Sequence, residues 1–190
     1  MSYLSHKKAP LSLLQSGKVL DIGCGTHKTP GATGLDTRAF PGVDIVADLE
    51  SALPVESSAY DVVFANQVLE HVTNLIGLVH EIHRILKPGG KFIAHVPYFR
   101  SGWAHCDLTH VRSFTIESMD IFIAGTFAQS VYTVSGMTFS KREVFLDTEY
   151  HSTLARGFFS TLALRNPQKF ENSALSFLYP FEQLTFLLTK

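Results

Sequence analysis

Along the first hundred residues, short apolar runs alternate with polar turns, and most runs stop at a carboxylate, an amide or a glycine. Residues 18–21 lead into Asp21-Ile22-Gly23-Cys24-Gly25, residues 43–47 alternate around Asp44, and 60–65 and 91–96 are nearly continuous apolar runs. Runs of this length bounded by turn residues are the pattern of strands buried in a parallel sheet. Asp36 ends a further candidate strand. Leu75, Leu78, Val79, Ile82, Ile85 and Leu86 recur at three and four positions, which predicts an amphipathic helix starting near Asn74. Lys87-Pro88-Gly89-Gly90 ends it with a cation, a proline and glycines. The connection 25–36 differs: Pro30, Gly31 and Gly34 leave little room for a helix, so the first crossover is expected as a loop or a single turn.

The second half is less regular. Residues 114–124 read as a helix with Thr115 as N-cap, and 131–139 and 143–146 as strands. Residues 151–180 are aromatic-rich and helical or irregular, and 182–190 form a final strand through Leu184, Phe186 and Leu188. In the lead-in 1–17, Leu11, Leu13 and Leu14 are expected to cover an edge of the core. Strands and connections alternate without a break in composition, which argues for an open parallel sheet in a single domain, 1–190.

Composition adds bounds. The chain has 190 residues, 45% apolar and 17% charged, so it can bury a sizeable core and carries no signature of disorder. A formal net charge of −1 gives no overall attraction to nucleic acid or anionic lipid. Cys24 and Cys106 form no CxxC pair or disulfide framework, the N-terminus lacks an apolar signal core, and no apolar run reaches about 20 residues. A cytoplasmic protein without a membrane span is expected.

The glycine loop has the chemistry of a nucleoside site. Gly23 and Gly25 let the backbone approach a ligand with no Cβ in the way, and Asp36 can accept from ribose hydroxyls. A dinucleotide fingerprint needs a third glycine and a long helix whose N-terminus receives pyrophosphate. Lys28 stands at that third position and Pro30 follows, which counts against a nicotinamide-dependent oxidoreductase. A ligand without phosphate, such as S-adenosylmethionine, needs only the close backbone approach and partners for its amino acid and ribose.

VLDIGCG from Val19, Asp36, DIVADLE with Asp48-Leu49, YDVVFANQVLEHV and ILKPGGKFIAHVP occur in this order across 19–96. Over this stretch the chain resembles the class I S-adenosylmethionine-dependent methyltransferases, with motifs like those of methyltransferase type 11. The resemblance implies a Rossmann-like, mostly parallel seven-stranded sheet with helices on both faces and an antiparallel strand near the C-terminus. It also implies a cofactor-binding half at about 18–97, with acceptor or lid elements at about 98–130 and 147–180. Asp21, Gly23, Cys24 and Gly25 would line the methionine and ribose of the cofactor, and Asp36 would accept the ribose hydroxyls. Asp48 would accept from the adenine amine beside the Leu49 backbone. Asn66 and Gln67 would lie against the amino acid, His71 near the cofactor, and Lys28 or His27 would replace part of the contacts of the shortened helix.

Methyl transfer needs alignment more than side-chain chemistry, and a general base only where the acceptor must lose a proton. His105, Asp107 and His110, in the loop after Pro97, are the candidates, since that loop leaves the C-terminal end of a strand. The run 107–115 also resembles a D-x-T-H-x-R-x-F-T segment of the superfamily, in which Asp107, His110 and Arg112 could equally bond one another to hold a lid. Phe99, Trp103, Phe158, Phe159, Phe170 and Phe177 would line an apolar acceptor pocket or form the lid's own core.

No metal is expected. His105, Cys106, Asp107 and His110 offer suitable ligand types, but close sequence neighbours rarely converge on one ion. RNA-terminus 2′-O-methyltransferases resemble this chain through an E-x-x-E-H motif and a later histidine, but Gln67 stands at the first acidic position and no basic stripe for RNA exists. The expected activity is transfer of a methyl group from S-adenosylmethionine to a small or medium-sized metabolite, leaving S-adenosylhomocysteine. The alternative from another class is a non-catalytic S-adenosylmethionine-binding domain. The sequence leaves the oligomeric state open, a homodimer included.

Overall fold

The computed structural model describes residues 3–4, 11–132, 137–147, 153–179 and 181–190. After β1 (Tyr3–Leu4) and a 3-10 turn (Leu11–Gln15) come β2 (Val19–Ile22), β3 (Thr33–Asp36), β4 (Ile45–Val46) and β5 (Tyr60–Asn66). Helix α1 (Leu75–Ile85) leads into β6 (Leu86–Pro97). Helix α2 (Trp103–Cys106), a 3-10 turn (Asp120–Phe122) and α3 (Phe127–Tyr132) precede β7 (Lys141–Asp147). Helices α4 (Thr153–Arg165), α5 (Pro167–Glu171) and α6 (Leu175–Leu178) lie before β8 (Gln183–Thr189). The sheet order is β1-β7-β8-β6-β5-β2-β3-β4. Seven strands make the body of the sheet, with the two-residue β1 at its edge. Strand β8 runs antiparallel to β6 and β7, and all other pairs are parallel.

Alternation along the strands sends side chains to two faces. Leu20, Ile22, Val63, Ala65, Phe92, Ala94, Val96, Leu184, Phe186 and Leu188 join one cluster, covered by Leu78, Val79, Ile82 and Ile85 of α1. Phe122, Ala163, Leu164 and Phe170 close the same cluster. Val19, Val62, Phe64, Ile93, Phe145 and Leu187 form the second, which Leu13, Leu14 and Ala32 cover among the described residues. That second face receives no crossover helix because residues 25–32 carry none, in agreement with Pro30 and Gly31. Leu13 and Leu14 therefore cover this face as the sequence indicates, while Leu11 stays exposed.

The α1 expectation holds to within a residue. Asn74 caps the helix by accepting from the Gly77 N–H at 3.0 Å, and Glu50 accepts from the N–H groups of Thr73 and Asn74 at 2.6 and 2.7 Å. Strand β6 begins earlier than 91–96, because Leu86 already pairs with Tyr60, and a register shift then accommodates Pro88-Gly89-Gly90. The run 43–47 makes only two paired residues, Ile45 and Val46, since the Val43 N–H closes a turn on the Phe40 carbonyl and Asp44 bonds only through its N–H, to the Gly34 carbonyl, and its side chain.

Two expectations fail. Residues 114–124 are not a helix: Phe114 bridges to Tyr98, Ile123 bridges to Phe139, and only 120–122 make a 3-10 turn. Tertiary pairing of these backbone groups outweighs local propensity, and the Thr115 N–H donates to the Ser118 hydroxyl instead of Thr115 capping a helix. Of the strand expected over 131–139, residues 131–132 end α3, 133–136 lie outside the described residues, and Phe139 makes a single bridge. The expected strand at 143–146 is β7, and 183–189 is β8.

A buried polar network fastens the second half to the sheet. Arg142 on β7, 1% exposed, donates to the Ile116 carbonyl and pairs with Asp120 at 2.6 Å. Glu171 of α5 accepts from the Ile116 N–H at 2.9 Å, and burial pushes its carboxyl above the ordinary carboxylate range. Arg100 donates to the Glu171 carbonyl at 3.2 Å and lies 3.7 Å over the Phe177 ring.

Asp61 joins three elements at the opposite end of the sheet. Its carboxylate accepts from the Lys18 N–H at 2.8 Å and from Lys87 Nζ at 2.8 and 2.9 Å, and the Lys87 hydrogen bond holds its pKa below the ordinary 3.8. A depressed folded-state pKa gives stability that is complete above the unfolded value and lost as pH falls through the folded one. Asp61→Asn should therefore lower Tm at pH 7, and the deficit should shrink as pH falls below 3.8. Thermal unfolding followed by circular dichroism checks this, and an equal deficit at pH 7 and pH 3 would contradict it.

Candidate active site

Strand β2 delivers Asp21 to the C-terminal edge of the sheet, where the backbone turns sharply. Gly23 and Gly25 have φ of 64° and 52°. At Gly23 a Cβ would lie 2.4 Å from Val68 Cγ2, whereas at Gly25 it would meet nothing within 4 Å. The first glycine is required by packing and φ together; the second faces open space over the loop. The Asp36 carboxylate, at the end of β3, accepts from the Gly25 N–H at 2.8 Å and the Arg38 N–H at 3.0 Å. Asp21 accepts from the Thr29 N–H at 2.7 Å, yet burial dominates and raises its carboxyl pKa. Burial, with Asp21 and Asp36 nearby, also pushes the Cys24 thiol up.

Two cavities adjoin at Gly23. One, about 320 Å³, is lined by Asp21, Cys24, Gly25 and Asn66, with Thr26, His27, Phe40 and Phe64 around them. The other, about 250 Å³, is lined by Thr37, Asp48, Leu49, Glu50, Gln67, Val68, His71 and Val72. Asp48 is held by its own turn, accepting from the Glu50 N–H at 2.9 Å and the Ser51 hydroxyl at 3.2 Å. Gln67 has φ of 54°, a left-handed conformation unusual for a residue with a side chain, and its N–H donates to the His95 carbonyl at 2.9 Å. Strain of this kind at a strand end is typical of positions that present a ligand-binding side chain.

Lys28 and Asp36 stand outside these two linings. Lys28 Nζ pairs with Asp44 at 2.9 Å, and its stem lies over Gly34, where a Cβ would come within 2.5 Å of Lys28 Cδ. Asp44 also accepts from the Gly34 N–H at 2.7 Å, which with Lys28 lowers its pKa. Both residues thus serve the loop's shape directly, and the cavities through it.

The loop after β6 crosses the start of α1. Val111 N–H donates to the Glu70 carbonyl at 2.9 Å, and Arg112 donates to the carbonyls of Val72 and Thr73 at 2.6 and 2.8 Å. This places His110 against His71, ring centroids 4.7 Å apart at 69°. Asp107 accepts from Thr109 Oγ1 at 2.7 Å, and Thr109 Oγ1 contacts His71 Nδ1 at 2.9 Å. The Thr109 backbone bond, the stronger influence, lowers the Asp107 pKa. The His110 N–H donates to the Asp107 carbonyl at 3.3 Å, but the side chains of Asp107, His110 and Arg112 each bond elsewhere, so the mutual side-chain contact weighed from sequence is not formed. His105 turns the other way, with Nε2 2.9 Å from the Phe99 carbonyl.

Glu70 entered the sequence reading only through the E-x-x-E-H resemblance, which Gln67 counted against. It is 1% exposed, neither carboxylate oxygen has a hydrogen-bond partner, and burial raises its pKa to about 7. Thr37 and Glu50 were missed, although each adjoins a predicted site residue.

The open parallel sheet with its ligand clefts at the C-terminal strand ends defines a Rossmann-like nucleoside-binding domain. Residues 2–128 match the profile of a family described as a methyltransferase domain, and the chain belongs to that family. Sterol 4-C-methyltransferase strm-1 of Caenorhabditis elegans is 32% identical over 114 residues, 47% of this chain and 34% of the relative. The ubiquinone biosynthesis O-methyltransferase of Pseudomonas aeruginosa is 31% identical over 100 residues, 41% of this chain and 43% of the relative. The chain thus spans less than half the length of these curated relatives. Among solved structures, a SAM-dependent methyltransferase of Archaeoglobus fulgidus superposes with TM-score 0.59 at 16% identity, covering 91% of this chain and 86% of its own. A Thermotoga maritima protein described as a possible histamine N-methyltransferase gives 0.57 at 19% identity, covering 97% and 91%. These structural likenesses establish the shared fold.

Gly23→Ala tests the loop. The added methyl group meets Val68 in a backbone conformation that disfavours it, so a loss of about 1–3 kcal/mol of stability is expected. Chemical denaturation measures it; a variant as stable as the parent would show that the loop tolerates the methyl.

Proposed function

We propose that this domain binds S-adenosylmethionine across the two adjoining cavities and transfers its methyl group to a small or medium-sized metabolite. The observation that carries the reading is the pair of cavities meeting at Gly23 along the ends of β2, β3 and β5, lined by Asp21, Cys24 and Asn66 on one side and Asp48, Leu49, Gln67 and His71 on the other. The fit is that of a nucleoside without phosphate: Gly25 leaves open room for close approach, and no helix begins at 25–32 to receive an anion.

Residues 18–97 would hold this cofactor, and 98–130 with 147–180 would build the acceptor side; residues 133–136, 148–152 and 180 lie outside the described residues. Asp36 Oδ1 accepts from the Arg38 N–H and the Thr37 hydroxyl, while Oδ2 accepts from the Gly25 N–H alone and keeps a lone pair for a ribose hydroxyl. Asp48 and the Leu49 backbone would take the adenine, and Asn66 and Gln67 the amino acid, with Lys28 shaping the loop rather than touching the ligand. S-adenosylmethionine supplies a methyl group already activated on a sulfonium, so the protein's task is to align an acceptor lone pair in line with it. His110 stands on the acceptor side as a group able to take a proton, Asp107 orients its neighbour His71 through Thr109, and His105 secures the loop at Phe99. The relatives named for sterol and ubiquinone substrates support a small-metabolite acceptor, and no helix among the described residues is long and apolar enough to cross a membrane. The free thiols of Cys24 and Cys106 favour a reducing, cytoplasmic setting.

Thermal-shift titration separates this reading from a nicotinamide one. S-adenosylhomocysteine should raise Tm and NAD should not; the reverse would overturn the proposal. Asp36→Ala should weaken S-adenosylhomocysteine binding by about tenfold or more, the loss of a charge-assisted contact, with the circular dichroism spectrum retained. Calorimetric titration reads the affinity, and an unchanged value would remove Asp36 from the ribose role.

A further inference from the structure

A third cavity lies away from Gly23, among the helices between β7 and β8. Its volume is about 530 Å³, larger than either cleft cavity and within the range of about 300–1,000 Å³ usual for small-molecule sites. It shares no lining residue with the two cleft cavities.

The polar part of its lining is cationic. Arg165, the last residue of α4, and Lys169 of α5 both face it, and neither makes an ion pair among the described residues. Asn166 stands between them and turns its Oδ1 to the Lys169 N–H at 3.0 Å, which leaves its amide NH₂ as a donor. The Ser173 hydroxyl is engaged within the turn, donating to the Phe170 carbonyl at 2.9 Å and accepting from the Leu175 N–H at 3.2 Å. Charges on a solvated helix face are ordinarily interleaved with the opposite sign. Here Glu171 is the sole acid between Tyr150 and Phe181. It is buried, with its carboxylate on the Ile116 N–H at 2.9 Å, and it does not line the cavity.

The rest of the lining is apolar: Leu162, Phe170 and Leu175. Phe170 is 3% exposed and belongs to the main core cluster, so the floor of the cavity is the core itself. Two unpaired cations above an apolar floor are complementary to a molecule with an anionic head and an apolar body.

The place of the cavity in the fold follows from the sheet. Pro97 at the end of β6 and Asp147 at the end of β7 both pair with Gln183. The helices that hold the cavity therefore spring from the same sheet edge as the loop to His110. Arg100 of that loop donates to the Glu171 carbonyl at 3.2 Å, one residue from Phe170 on the floor, and so ties the loop to the cavity wall.

We propose that this cavity is a binding site for a small amphipathic oxyanion, a single acyl or aryl chain ending in an acidic head. Arg165 and Lys169 hold the head, and Leu162, Phe170 and Leu175 receive the chain. The guanidinium fork of Arg165 fits two oxygens of one head, and the Lys169 ammonium adds a point charge. A concave site with a buried floor takes a free molecule, whereas a bilayer surface would meet its rim alone. The site is additional to the cleft and does not depend on which nucleoside the cleft holds.

The probe is decanoate, titrated calorimetrically into the full chain below its micelle-forming concentration. One equivalent should bind, and decyltrimethylammonium, with the same tail and the opposite charge, should bind at least about tenfold more weakly. Added salt should weaken decanoate binding. The double variant Arg165→Gln with Lys169→Gln alters exposed side chains, so it should keep the Tm and the S-adenosylhomocysteine affinity of the parent. Its decanoate affinity should fall by about tenfold or more. In the parent, decanoate should slow amide hydrogen exchange within 153–179 and leave 19–36 unchanged. Absence of stoichiometric binding, equal affinity in parent and double variant, or protection confined to 19–36 would each overturn the site. Sedimentation with phosphatidylglycerol vesicles without binding of free decanoate would make this face a membrane contact, and would overturn it as well. S-adenosylhomocysteine is titrated separately, so failure of the methyl-donor reading leaves the decanoate result decisive for this site.

Discussion

Three carboxylates, Asp21 and Asp36 buried on their strands and Asp44 exposed just before β4, hold the backbone around a crossover that has no helix to hold it. Asp21 accepts from Thr29, Asp36 from Gly25 and Arg38, and Asp44 from Gly34. In a helical crossover those N–H groups would be paired within the helix or exposed at its start. Asp21 and Asp36 stand on strands whose position the sheet register sets, so the loop they bond inherits the sheet's rigidity. The two cavities, the open approach over Gly25 and the absence of an anion-binding helix terminus all follow from that arrangement.

The same economy explains how the two faces of the sheet differ. The face carrying α1, α4 and α5 has a continuous apolar cluster, reinforced where Arg142, Asp120, Glu171 and Ile116 lock the irregular segments to β7. The other face has a smaller cluster under the 3-10 turn of Leu13 and Leu14. The elements after β6 are thus anchored on one side of the molecule, and the loop 107–112 reaches from there across the start of α1 to the cleft.

Legibility in the sequence tracked how local each determinant is. Helix α1 was visible in its apolar spacing and stop signal, and the buried strands β2, β5, β6 and β8 in theirs, because burial on defined faces imposes a period that the chain must satisfy by itself. Asp21, Cys24, Asn66, Gln67, Asp48, Leu49 and His71, which the resemblance of their motifs put beside the cofactor, line the two cavities. Residues 114–124 were misread because their backbone groups pair with Tyr98 and Phe139, contacts that local propensity does not contain. Lys28 was expected in the cleft and instead pairs with Asp44, since the loop folds its stem over Gly34.

The sequence by itself determined an open α/β sheet, an abbreviated first crossover and a glycine loop unsuited to pyrophosphate, all of which rest on residue types acting within a few positions of themselves. Only the tertiary structure decided which chemistry-bearing residues meet. The loop after β6 brings His110 against His71 beside Glu70, while His105, five residues before His110, turns to a backbone carbonyl. Such meetings depend on how Arg112 and Val111 dock 40 residues away in the chain, at Val72 and Glu70, and no local pattern encodes a contact made at that distance.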